Sequence, residues 1–132
     1  MTILAEALQA CAGGILTAEA GVSLLIDCGG WLHRDDFTSR FITAGPSISD
    51  GVTLLASIDW ETAVTALHAG ELPASGGERR MLLLASSIAG GTLVSLKDAL
   101  PGIDRRNASL VVGAVAHAAG LPDPYRETDK RE

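Results

Sequence analysis

The chain has 132 residues, enough for one domain with a core that needs no disulfide or metal staple. Its 47% hydrophobic and 20% charged residues exclude general disorder, and no basic segment precedes the apolar start Met1-Thr-Ile-Leu, so a secretory signal is not expected. The formal charge of −6 argues against a broad nucleic-acid surface. Nine acids stand against Arg34 and Arg40 in residues 1–77, while residues 78–120 carry five bases against three acids.

In chain order, residues 2–12 place Leu4, Ala7, Leu8, Cys11 and Ala12 at helical spacing before Gly13-Gly14. Thr17 then caps a second helix that runs to Asp27 or Cys28 and stops at Gly29-Gly30. Asp35 and Asp36 open a short helix through Ile42, with Phe37 and Phe41 on one face. Gly45-Pro46-Ser47 and Ser49-Asp50-Gly51 are turn formers, so 43–51 reads as a loop. Periodicity leaves 52–56 open between a helical turn and a strand.

Asp59 caps a helix from Trp60 to Ala69, ended by Gly70. Ser75-Gly-Gly-Glu78 has the capping-box pattern and opens a helix to Ala89. Ser95-Leu-Lys-Asp98 repeats the pattern for a short helix, Leu96–Leu100, and after Pro101-Gly102-Ile103 the cap Asp104 opens a last helix that stops at Gly120. The fold class expected is all-α, a compact bundle of six or seven helices, with the helices after Ser75 and Asp104 at its centre. Residues 1–120 form the single helical domain and 121–132 a charged flexible tail. Because aromatics are few, Trp31, Trp60, Phe37 and Phe41 are its bulky anchors.

Motifs for chemistry are weak. Ser75-Gly-Gly-Glu-Arg79 resembles the signature sequence of ABC-type ATPases, but the chain has no Gly-x-x-x-x-Gly-Lys-Ser/Thr to hold a nucleotide, and the capping box accounts for these residues. His33, Asp35 and Asp36 lack the spacing of a defined metal site. Cys11 and Cys28 read as reduced, buried thiols of a cytoplasmic protein. No catalytic residue, cofactor or metal is indicated, and no apolar run is long enough to span a membrane.

The pattern Ile-Asp59-Trp60, Gly70-Glu-Leu-Pro, Ser75-Gly-Gly-Glu-Arg-Arg and Leu-Lys-Asp98-Ala-Leu-Pro-Gly-Ile-Asp104-Arg-Arg-Asn107 resembles a family of small actinobacterial proteins of unknown function, across roughly residues 20–120. That resemblance implies a source but no activity, cofactor or site residue.

Two surfaces on the last helix carry the functional expectation. The unit from Ser75 to Gly120 resembles a helix-turn-helix, in which the helix 105–119 would present Arg105, Arg106, Asn107 and Ser109 to DNA, with Gly113 on the same polar side and Ala108, Val111, Val112 and Val115 on the other. Ser109, Gly113 and Ala116 form a strip of small residues suited to close approach by another helix, in this chain or in a homodimer. The reading is therefore a non-catalytic, self-associating interaction or regulatory protein that pairs with itself or another protein. A DNA-binding regulator is the first alternative. A small helical enzyme or ligand-binding protein with an unrecognised pocket is the second.

Overall fold

In the computed structural model, which describes residues 2–125, helix starts are set by the side chains that cap them. Asp59, Ser75, Ser95 and Asp104 accept the backbone N–H of Thr62, Glu78, Asp98 and Asn107 at 3.2, 3.1, 3.3 and 2.7 Å. At Ser75 the box closes, because Glu78 Oε1 also accepts the Ser75 N–H at 2.9 Å. Each such cap stabilises a helix end by about 1 kcal/mol. The second helix starts differently from the expectation at Thr17. It begins at Leu16, its N-cap Ile15 offers no side-chain bond, and the Glu19 carboxylate reaches back to the Gly14 N–H at 2.8 Å.

Seven α-helices result among the described residues: α1 (Thr2–Ala12), α2 (Leu16–Cys28), α3 (Asp35–Phe41), α4 (Trp60–His68), α5 (Gly76–Gly90), α6 (Leu96–Ala99) and α7 (Arg105–Ala118). A 3₁₀ turn, Trp31–His33, joins α2 to α3. The fold is mostly helical but not purely so. Strands β1 (Ile42–Pro46) and β2 (Leu54–Ile58) pair antiparallel, with Ala44 opposite Ala56.

The loop expected at 43–51 is thus half strand, and 52–56 resolves largely into strand. Gly45 and Pro46 read locally as turn formers, but the register brings Phe41 O to the Asp59 N–H at 2.8 Å and Thr53 O to the Ser47 N–H at 2.7 Å. In that alternation Pro46 falls on an outward position, where its missing N–H costs no ladder bond. The turn is tightened by Asp50, whose carboxylate accepts from the Val52 and Thr53 amides and the Thr53 hydroxyl. An isolated two-stranded hairpin is marginal in water. Here β2 lies against α1 and buries Ala56.

At the centre lies α2, not α7. One side of α2 packs on α5 and another on α7, and α4 runs antiparallel to α5 with Trp60 against Gly90 at one end and His68 beside Arg79 at the other. Of α7 only Val111, Gly113 and Ala114 are buried. The expectation that α7 would be central fails because small side chains give it apolar character on every side, which does not say which side is covered.

Trp31 and Phe37 are fully buried, with ring centroids 5.3 Å apart, and Phe41 continues the cluster at 5.6 Å from Phe37. The Trp31 Nε1–H donates to Glu78 O at 2.9 Å, tying the 3₁₀ turn to the first turn of α5. Arg34 stacks on the Trp31 ring at 4.6 Å, donates to Pro73 O, and holds Asp36 through both guanidinium and carboxylate edges. Of the expected tail, 121–125 folds back along α7, and 126–132 lies outside the described residues.

Candidate functional site

The candidate residues lie along α7, which α2 grips at both ends. Near the α7 start, Arg106 Nη2 donates to Asp27 O at 2.6 Å, satisfying one of the orphan carbonyls in the last turn of α2. Near its other end, His117 Nε2 meets Glu19 Oε1 at 2.7 Å. That bond, with the Gly14 amide on the second carboxylate oxygen, holds the Glu19 carboxyl below its ordinary range.

Arg106 is therefore an anchor between helices, and its Nη1 also reaches Asn107 Oδ1 at 3.5 Å. Ser109 returns its hydroxyl to Arg105 O at 2.9 Å. Arg105 is exposed and makes no ion pair or side-chain hydrogen bond among the described residues. Of the four residues singled out as a DNA or partner contact, Arg105 alone projects uncommitted into solvent.

Gly113 lies elsewhere. It is buried on the shoulder of α7, and a Cβ placed there would come within 2.9 Å of Asp123 Cγ. The close approach at this glycine is made by the chain's own Asp123 beside α2, not by α5. Ser109 and Ala116 remain half-buried towards the outer side. Beside them the outward line of α7 is apolar: Ala108, Val112, Val115 and Ala119 recur at i, i+4, i+7 and i+11, with Val112 43% and Val115 54% exposed. The sequence sets Val112 and Val115 with Val111 on one side of the helix, yet Val111 is buried and these two are not. Only the position of α2 tells which arc is free.

A cavity of about 310 Å³ lies between α2 and α7, lined by Gln9, Ser23, Asp27, Gly113, His117 and Asp123 among others. Its chemistry is limited, since His117 is bonded to Glu19 and Asp123 accepts the Tyr125 N–H. At the second place considered for chemistry, both Asp36 oxygens are bonded to Arg34, which holds this carboxyl low and leaves His33 and Asp35 without it as a third metal ligand. Among the described residues no group of three or more His, Cys, Asp or Glu side chains is placed to hold a metal ion.

The thiols differ from the expectation of two buried groups. Cys11 is exposed on α1, because Leu8 and Ala12 take the inward positions and leave it facing outward. Cys28 is partly buried, and burial pushes its thiol up to about 11 despite the nearby Arg106.

No helix among the described residues is long and apolar enough to cross a membrane. Comparison of the chain with protein-family models, with curated proteins and with solved structures finds no match.

Proposed function

We propose that this chain is a non-catalytic interaction protein that pairs with a second copy of itself through the outer face of α7. The observation that carries this reading is the apolar line of half-buried Ala108 and exposed Val112, Val115 and Ala119 on a helix whose opposite side is already packed. Ser109 and Ala116 flank it and are small enough for two helices to approach closely. In an antiparallel two-fold pairing, the same face meets itself. Arg105, set unfavourably at the positive end of its own helix, then falls beside the C-terminal carbonyls of the second copy's α7. Exposed Ile15, Leu16 and Leu121 extend the apolar surface past the end of α7, where Leu16 lies close to Gly120.

Light scattering at micromolar concentration is expected to give the mass of a dimer, and Val112→Glu with Val115→Glu a folded monomer. A monomeric wild-type protein overturns self-association and leaves the α7 face to a different protein.

The DNA-binding alternative has less support. Arg106 is held by Asp27, and α6 is a single turn, so a reading helix would rely on Arg105 and Asn107. Filter binding to mixed genomic fragments at low salt tests it, with Arg105→Ala expected to abolish retention if α7 enters a groove.

A further inference from the structure

A second cavity, of about 430 Å³, opens between the start of α5 and the segment leading into α6. Its polar wall is built by two consecutive arginines of α5. Arg79 Nη2 lies 3.2 Å from His68 Nδ1. Since a guanidinium can only donate, this ring nitrogen is the acceptor, and the contact fixes the Arg79 side chain.

Arg80 is the unusual one. The residue is half-buried and its Nη1 lies beside Gly76 and Gly102, at each of which a Cβ would stand 3.0–3.2 Å from it. Both neighbouring positions lack a side chain, and Gly102 has a φ of 97° that disfavours one. Yet Arg80 makes no ion pair or side-chain hydrogen bond among the described residues. A half-buried arginine without a carboxylate partner among the described residues leaves directed donors for an incoming acceptor.

Across the cavity stand Ser95 and Asp98, and Leu83, Val94 and Ala99 supply an apolar lining, with the almost fully exposed Leu93 at the mouth. Two arginines against one aspartate leave a single net positive charge, which suits a monoanion better than a dianion. The lining suits an aliphatic body.

We propose that this cavity binds a small amphipathic carboxylate, its head on the Arg80 guanidinium and its chain along Leu83, Val94 and Leu93. The site is independent of the self-association argued above, because it uses no residue of α7.

Octanoate is the probe. In a ¹H–¹⁵N titration of the full chain it is expected to shift the Gly76, Leu83, Ser95 and Gly102 amides saturably, and 1-octanol, with the same chain and no charge, to bind at least about tenfold more weakly. Arg80→Met should weaken octanoate by about tenfold or more, while Arg105→Ala leaves it unchanged. Asp98→Asn, which removes the opposing charge without touching Arg80, should tighten it and guards against misfolding of the Arg80 variant. No saturable shift with octanoate, equal binding of octanol, or tighter binding of inorganic phosphate than of octanoate would each overturn the proposal.

Discussion

Gly21 of α2 rests directly on the Ala89 methyl of α5. A Cβ at residue 21 would overlap the Ala89 methyl and stand 2.8 Å from Ala85 O, so backbone would have to move. Gly21→Ala is expected to destabilise by about 1–3 kcal/mol through overpacking, despite the better helix propensity of Ala. Gly113→Ala provides the contrast. There the nearest atoms to the added methyl belong to the Asp123 carboxyl, a side-chain end, and none of them is backbone, so the loss should be smaller than at Gly21, below about 1 kcal/mol. Thermal melts of the two variants check this, and equal shifts would show that the α2–α5 crossing is not the tight one.

Trp31 joins two parts of the core through one N–H. Trp31→Phe keeps an aromatic ring but removes the donor to Glu78 O and part of the platform under Arg34. A loss of about 1–3 kcal/mol is expected, read by chemical denaturation. A variant as stable as the parent would mean that the link between the 3₁₀ turn and α5 adds nothing.

The hairpin turn should respond to acid. Asp50 is held down to about 2, first by the Thr53 hydroxyl and then by the Val52 and Thr53 amides. Its folded value lies below the ordinary unfolded value of about 3.9. Its contribution is therefore complete above about pH 4 and is lost as pH falls through about 2. Following the Val52 and Thr53 amide shifts with pH should give a midpoint near the lower figure. A midpoint near 4 would show that the carboxylate is not engaged by the turn.

The two thiols should react at very different rates. Cys11 is exposed, whereas the Cys28 thiol is partly buried and pushed up to about 11, so at neutral pH it holds almost no thiolate. Iodoacetamide followed by mass spectrometry should label Cys11 first and leave Cys28 largely unmodified until the protein is denatured. Comparable labelling of both in the native protein would contradict this burial.

Local chemistry made the helix ends legible. Asp59, Ser75, Ser95 and Asp104 cap because a short oxygen-bearing side chain satisfies an amide three residues on, an interaction that needs no tertiary partner. Few side chains are large, and of the four anchors expected Trp31, Phe37 and Phe41 are buried in the core while Trp60 is half-buried against it. What sequence order could not convey was orientation. Gly45 and Pro46 have turn propensities that pairing with β2 overrides, because a ladder depends on partners, Leu55 and Leu54, that lie beyond the reach of a local turn. Gly21 and Gly113 are equivalent as interior helix glycines until α5 is laid against one and Asp123 against the other. The outward turn of Val112 and Val115 likewise follows from where α2 lies, because a helix of small apolar residues has no intrinsic inner side. Arg79 and Arg80 are two bases at a helix start in sequence, and only the return of the chain at Gly102 brings a second segment beside Arg80.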